Sequence, residues 1–320
     1  MKIAILGASS IAAKILPTLK TLPMFEIAGV ASTDRDRGSV FANDHGTLFL
    51  GDYQAVYQNR NINAVYVTTA NQEHESCIEN ALLSGKHVLC EKPLVLTSAA
   101  ARRLFELSKK MDLILLEGLM YRFHPQIREM LKHVHSGEYG SPRRINATFS
   151  FDYGTGLHLD RRLLNGGGAL PDLGCYLIDF VSLISNGSPV EIVQKMENQT
   201  AISFGAILKL KNGIIAEVRS LMTSPSINTW EVICERGSLS VNRYNPHEAS
   251  ESILQIVDDD SQLTSIKVPK DGSGLDQFKQ QFINFHDSIV GKAQPFISAD
   301  ESICNAVLMD SIQNANPTLL

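Results

Sequence analysis

The fold class this sequence predicts is α/β: an amino-terminal domain on a doubly wound parallel sheet, followed by an α+β domain with a large, open, mostly antiparallel sheet. Three observations carry that expectation. Short apolar runs alternate with helical patterns through the first third of the chain, the order that builds a parallel sheet covered by helices on both faces. From about residue 120 apolar residues alternate singly with polar ones, as half-buried strands require. The 320 residues, 44% apolar and 20% charged, suffice for two cores at about 100–200 residues each. The boundary falls near 119, giving domains 1–119 and 120–320.

Element by element, strands are expected at 3–6, 27–31, 64–68, 87–90 and 113–117. Between them Ile11, Ile15, Leu19 and Leu22 recur at helical spacing, as do Leu104, Leu107 and Met111, and Gly85 reads as a helix terminator. Pro17 lies inside the first of these helices and should kink it or shift its start. Beyond 120, Ile127, Met130, Leu131 and Val134 mark a helix, and Ile145, Ala147, Phe149, Phe151 and Tyr153 mark a strand. Asn212-Gly213, between apolar runs at 207–211 and 214–220, predicts a hairpin with a type I′ turn. Two further strands flank Arg236-Gly237, and Asp258 to Asp260 read as a solvated turn. Two helices close the chain, one carrying Phe278, Phe282, Phe285 and Ile289, the other Ile303, Val307 and Ile312.

Composition narrows the partners. With 29 basic and 34 acidic side chains the net charge is −5, which argues against a polyanion-binding surface and hence against nucleic acid. No apolar run approaches the roughly 20 residues that span a bilayer, and the first residues enter a strand without a cleavable signal, so a cytoplasmic protein with no membrane partner is expected. Five scattered cysteines, with no C-x-x-C pair, suggest buried free thiols rather than disulfides or zinc. The nine histidines are dispersed and read as surface residues; His133 and His135 would point about 200° apart on one helix, so no metal is expected.

Four segments carry chemistry. Gly7-Ala8-Ser9-Ser10-Ile11-Ala12 lies between a strand and an amphipathic helix, where a dinucleotide pyrophosphate would rest on helix amides. Gly7 would make the tight turn and Ala12 the close helix packing, while Ser9 replaces the second glycine of the fingerprint; a plain turn is the alternative. The next strand ends in Ser32-Thr33-Asp34-Arg35-Asp36-Arg37, beginning about 20 residues further on, where the adenosine ribose is read. Ser32 with Arg35 or Arg37 favours NADP, Asp34 would favour NAD, and a solvated charged loop would favour neither. Glu91-Lys92-Pro93 follows an apolar strand at the ligand-bearing edge of such a sheet. Lys92 would place a positive charge near a reacting oxygen, or the pair simply caps the strand. Finally, after Gly166-Gly167-Gly168, Asp172 and Tyr176 stand four apart on one helical face. Tyr176 is a candidate proton donor whose phenolate an adjacent ammonium would favour; a packing aromatic and a helix-start charge are the alternative.

In this order the segments resemble the Gfo/Idh/MocA oxidoreductases, the family of glucose-fructose oxidoreductase and inositol dehydrogenase. The resemblance covers nearly the whole chain. It is sharpest at A-L-L-S-G-K-H-V-L-C-E-K-P-L (81–94), E-G-L-M-Y-R-F-H-P-Q (117–126) and G-G-G-A-L-P-D-L-G-C-Y (166–176). Tyrosine at 176 and the Tyr-Arg-Phe-His-Pro run are similar to the branch with dihydrodiol dehydrogenase and D-xylose dehydrogenase. The resemblance implies a Rossmann domain, a nicotinamide cofactor (NADP, with NAD open), and a homodimer or higher homo-oligomer through the carboxyl-terminal sheet. It further implies that Glu91 and Lys92 lie beside the nicotinamide, that Asp172 orients substrate and that Tyr176 is the acid/base. By the same resemblance Arg122 contacts cofactor, and Thr69, Asn71 and His74 form the nicotinamide-side loop, with Ala70 where a proline is usual. Ser32 and Arg37 would hold the 2′-phosphate, with Thr33 also in contact with cofactor. Substrate contacts would come from Lys92, Tyr121, His158, Arg161, Arg162, Asp172 and Tyr176. Ser9, Pro171 and Asn165 depart from the family pattern without removing a catalytic group. The expected activity is hydride exchange between nicotinamide and the CH–OH or C=O of a sugar, polyol or diol; a dinucleotide-binding sensor without turnover is the alternative.

Overall fold

The computed structural model describes residues 1–154, 156–185, 189–197, 201–242, 252–268 and 277–315. The chain divides into two units, Met1–Leu119 with Phe278–Ile303 and Met120–Gln277 with Cys304–Leu320. The first is built on five parallel strands: β1 (Lys2–Leu6), β2 (Glu26–Ala31), β3 (Ala64–Val67), β4 (His87–Glu91) and β5 (Leu115–Gly118), in the order β2-β1-β3-β4-β5. All four residues of β3 and four of the five in β4 are buried, as expected where helices cover both faces of a parallel sheet. Those helices are α1 (Ser10–Lys20), α2 (Arg35–Asp44), α3 (Tyr53–Gln58), α4 (His74–Leu83) and α5 (Ser98–Lys110). Strand order reverses between β1 and β3, so the carboxyl ends on either side of that point frame the crevice where such sheets bind ligands.

Helix α1 runs through Pro17 without interruption, against expectation. Pro17 lies on the exposed side while Ala12, Ile15, Leu16 and Leu19 face the core, so water can replace the amide that proline lacks. Gly85, at φ 73°, ends α4 in the left-handed region as expected.

The second unit contains α6 (Pro125–Ser136), β6 (Pro142–Ser150), α7 (Leu157–Leu164) and α8 (Cys175–Ser185), followed by seven further strands. These are β7 (Pro189–Glu197), β8 (Ser203–Leu210), β9 (Ile215–Leu221), β10 (Ile227–Cys234), β11 (Gly237–Asn242), β12 (Ser252–Asp258) and β13 (Leu263–Val268). Eight strands form one sheet in the order β13-β12-β11-β10-β6-β9-β8-β7, antiparallel except for β6 beside β9. The β8–β9 hairpin is present, but its turn is not type I′. Gly213 alone takes a positive φ, 83°, and the Gly213 amide donates to the Leu210 carbonyl at 2.9 Å. A three-residue loop with glycine in the left-handed position satisfies the strand twist without asking a positive φ of Asn212.

Two helices complete the chain, α9 (Gln277–Ile289) and α10 (Ala299–Asn314). The expectation that 120–320 form one domain is corrected for Phe278–Ile303, which belongs to the first unit. The aromatic stripe of α9 explains it: the Phe282 ring meets Phe25 edge-on at 5.9 Å and Tyr66 at 5.2 Å. Helical periodicity shows that this face is buried but not which core receives it.

The described histidines are not all on the surface. His74 and His124 are buried, and His124 caps α6, its side chain accepting from the Gln126 amide at 3.2 Å. Burial pushes the His124 imidazole down to about 4. The unfolded chain therefore takes up a proton near 6.5 that the folded chain refuses, so stability is full above that value and falls as pH drops toward 4. In His124→Asn, which keeps a capping oxygen, that acid-side loss, on the order of 3 kcal/mol, should shrink. Melting temperatures between pH 4 and 7 check this, and a wild-type slope in the variant would contradict it. Cys77, Cys90, Cys175 and Cys234 are buried thiols and Cys304 is half-buried. Among the described residues no helix is long and apolar enough to cross a membrane.

Candidate active site

The carboxyl edge of the parallel sheet carries the first group of candidates. After β1, Gly7 takes φ 108°, and a side chain there would meet the Thr68 backbone and hydroxyl at 3.0 Å. Thr68 in turn donates to the carbonyls of Leu6 and Gly7, both at 3.0 Å, locking β1 to β3 where the strand order reverses. Ser9 has a structural use in place of the missing glycine: it is the N-cap of α1, accepting from the Ala12 amide at 3.2 Å. The first backbone bond of the helix runs from Ala13 to Ser9, so the amides of Ser10 and Ile11 precede the ladder. Together with buried Ala12 beneath the turn, this end of α1 fits a pyrophosphate.

After β2, the segment read as a possible charged loop is the start of α2. Asp34 is its N-cap, with Oδ1 accepting from the Arg37 amide at 3.0 Å. Ser32 is 2% exposed, and its hydroxyl oxygen accepts from the Asp34 amide at 3.2 Å. Thr33 and Arg37 are exposed, whereas Ser32 is turned into the fold. Half-buried Tyr53 at the start of α3 hydrogen-bonds Thr33 and lies near Arg37; burial raises its pKa. No pattern in the sequence pointed to Tyr53.

The loop after β3 and the turn after β4 are tied together. Thr69 and Asn71 lead into α4, whose first residue, His74, is fully buried. Its Nδ1 lies 2.8 Å from the Pro93 carbonyl and its Nε2 3.3 Å from that of Thr69. The ring, expected at the nicotinamide side, is engaged within the protein. Burial lowers the His74 pKa and outweighs the carbonyls that raise it. The Tyr66 hydroxyl donates to the buried Glu91 carboxylate, whose pKa burial raises against that bond. Glu91, expected beside nicotinamide, is thus held by β3. Lys92 is half-buried and is followed by a cis bond to Pro93. The Leu94 amide donates to Glu117 Oε1 at 2.9 Å.

In the second unit Asp172 lies in a π-helical turn, Leu170–Gly174, that runs into α8. It is 1% exposed, and its Oδ2 accepts from Arg162 Nε at 2.7 Å and from the Gly168 amide at 3.1 Å. A side chain at Gly167 would sit 2.8 Å from that oxygen, which accounts for one of the three glycines. Arg162 stacks over Tyr153 at 4.5 Å. Burial lowers the guanidinium pKa, but Tyr153, Asp172 and Tyr176 together outweigh it and the net direction is up. A cation, a carboxylate and a phenol therefore share this corner. Arg162 was expected only as a lining residue, and its pairing with Asp172 was missed. Tyr176 is 7% exposed, donates to Met120 Sδ at 3.5 Å, and packs edge-on against Tyr121 and Phe149.

Tyr121 and Arg122 are placed differently from expectation. Both are essentially unexposed, and both bond Asp179: the Tyr121 hydroxyl and Arg122 Nη2 closely, Arg122 Nε at 2.8 Å. Asn305 of α10 donates to the same carboxylate. These groups hold the 3-10 turn Met120–Phe123 against α8 and α10. Asp179 was not singled out, since nothing local distinguishes it from a surface acid. The side chains of His158 and Arg161 lie outside the described residues.

Residues 1–119 match the model of an oxidoreductase family with an NAD-binding Rossmann fold, and residues 127–240 match the Gfo/Idh/MocA carboxyl-terminal domain. The chain is 27% identical over 320 residues to a dTDP-3,4-didehydro-2,6-dideoxy-alpha-D-glucose 3-reductase of Actinomadura kijaniata, covering 98% of this chain and 95% of that protein. It is 26% identical to D-xylose 1-dehydrogenase (NADP(+)) 2 of Haloferax volcanii, covering 99% and 98%. Among solved structures, KijD10, a 3-ketoreductase from A. kijaniata in complex with NADP and TDP-benzene, superposes with a TM-score of 0.88 at 27% identity, covering 98% and 97%. Structures of KijD10 include variants of one lysine and of one tyrosine. With both domains matched in order, this chain belongs to the Gfo/Idh/MocA oxidoreductase family.

Proposed function

We propose that this protein is an NADP-dependent dehydrogenase or reductase acting on a CH–OH or C=O group of a sugar, polyol or diol. The observation that carries the reading is the carboxyl edge of the parallel sheet, which gathers the Gly7 turn, the Thr33–Arg37 helix start, the Thr69–Asn71 loop and the Lys92 turn at successive strand ends. Bound nicotinamide would supply the hydride chemistry. The amides of Ser10 and Ile11 would take the pyrophosphate, and Thr33 and Arg37 the 2′-phosphate. Tyr176 would take the hydroxyl proton in the oxidising direction and return it in the other. Lys92 would stabilise negative charge on the substrate oxygen. Asp172, fixed by Arg162, would orient a neighbouring hydroxyl. A relative named for NADP and a structural neighbour holding it support the coenzyme choice. The assembly we propose is a homo-oligomer through the eight-stranded sheet, in the cytoplasm.

Absorbance of reduced nicotinamide, followed with NADP and with NAD across a panel of sugars, polyols and diols, tests the reading. Turnover on a member of the panel is expected, with NADP preferred. Tight coenzyme binding without oxidation or reduction of any member would favour the sensor alternative. Arg37→Ala should raise KM for NADP about tenfold, the loss of one charge-assisted contact, while leaving KM for NAD unchanged. Equal effects on both coenzymes would remove Arg37 from the 2′-phosphate.

A further inference from the structure

Lys92 is flanked by groups that are each fastened to a different element. On its amino side Glu91 receives the Tyr66 hydroxyl from β3. On its carboxyl side the Pro93 carbonyl faces His74 Nδ1 of α4 at 2.8 Å, and the Leu94 amide donates to Glu117 Oε1 of β5 at 2.9 Å. All three anchoring side chains are buried, with His74 at 0% exposure, Tyr66 at 0% and Glu117 at 5%. His74 also follows the Thr69–Asn71 loop closely in the chain, and its Nε2 lies 3.3 Å from the Thr69 carbonyl.

We infer that His74 is a positioning residue: it couples the Thr69–Asn71 loop to the Lys92-Pro93-Leu94 turn, and with Glu117 it sets where the Lys92 ammonium stands. The inference rests on the proposed function for its kinetic consequence, though not for the coupling of the loops. The chemistry of the ring suits the task. A buried neutral imidazole has one N–H to give, and the shorter approach assigns it to Nδ1, which donates to Pro93; Nε2 then makes no hydrogen bond to the Thr69 carbonyl, and the Thr69–Asn71 loop is tied to the clamp through the short stretch of chain that joins it to His74. Burial lowers the pKa of the ring and so favours its neutral form. Lysine stems are flexible, so a fixed charge at their tip requires a fixed backbone beneath them. A displacement of about 1 Å at a reacting centre can cost about 100-fold in rate.

Isosteric substitution separates this role from a merely structural one. Asparagine places an amide N–H near the Nδ1 position, whereas glutamine places one near Nε2. His74→Asn is therefore expected to stay within about threefold of the wild-type kcat, and His74→Gln to lose about 10- to 100-fold, with the NADPH Kd changed less than threefold in both. Glu117→Gln, which keeps an acceptor for the Leu94 amide, should likewise hold, and Glu117→Leu should fall. Rates are taken per folded molecule, with folding checked by thermal melts. Equal rates for His74→Asn and His74→Gln, whether both high or both low, would overturn the inference. A wild-type protein without turnover, or Lys92→Met at full rate, would instead overturn the proposed function. Amide hydrogen exchange then decides the coupling: His74→Leu should accelerate exchange in the 69–73 and 91–95 segments together, and acceleration in only one of them would refute it.

Discussion

Tyr176→Phe is expected to lower kcat by about 10²- to 10⁴-fold, the usual worth of a positioned acid/base, while leaving the NADPH Kd nearly unchanged. The substitution removes one oxygen and keeps the ring, so the edge-on contacts to Tyr121 at 5.8 Å and Phe149 at 5.5 Å persist. The hydroxyl-to-sulfur bond to Met120 that is lost from the folded state is weak, and the melting temperature should barely move. The loss thus reads on chemistry and not on folding. A companion measurement is the pH dependence of the residual rate, which should lose the limb that belongs to the phenol. Steady-state kinetics on the substrate found by the panel check both. Full turnover by the phenylalanine variant would remove Tyr176 from proton transfer and leave the Asp172–Arg162 pair as the chemistry of that corner.

The second large effect is on stability. Asp179→Ala should destabilise the second unit by about 3–5 kcal/mol, the cost of leaving one member of a buried ion pair without its partner. Arg122 is 2% exposed and Asp179 0%, so water cannot replace the lost charge without opening the turn Met120–Phe123. Tyr121 and Asn305 lose their acceptor at the same time. For a unit of this size the melting temperature should fall by roughly 6–20 °C. Asp179→Asn, which keeps the shape and removes the charge, should fall nearly as far. The double replacement Arg122→Met with Asp179→Leu should recover part of the loss, because it removes both charges from the interior. Thermal melts of the four proteins check this. A double variant no more stable than Asp179→Ala would mean that the hydrogen-bond geometry around Asp179 matters more than the buried charges.

What could be read before folding was whatever leaves a local trace. Alternating apolar runs placed all five parallel strands within two residues of their ends, and the short turn at Arg236-Gly237 and the hairpin at 208–214 were equally visible. Gly7, Gly85 and Gly213 declared turns because each occupies a backbone region closed to most side chains. The Lys92 and Tyr176 candidates came from motif order, a property of the string. A residue type near the right strand says nothing about which way its side chain turns; Ser32 points into the fold and Arg122 pairs with an acid 57 residues away, and neither was legible in the sequence.

Periodicity and glycine placement, which report each residue's immediate chain neighbours, were enough to determine the two classes of sheet, and the resemblance to the family lay in the motifs at 81–94, 117–126 and 166–176. Only the tertiary structure decided that Asp179 is the hub for Tyr121, Arg122 and Asn305, that Arg162 pairs with Asp172, and that the last aromatic stripe packs with the amino-terminal core. Those choices depend on burial. A charge or an aromatic ring commits to one partner only when distant segments close around it and exclude water, and no local pattern of residues encodes which segments will meet.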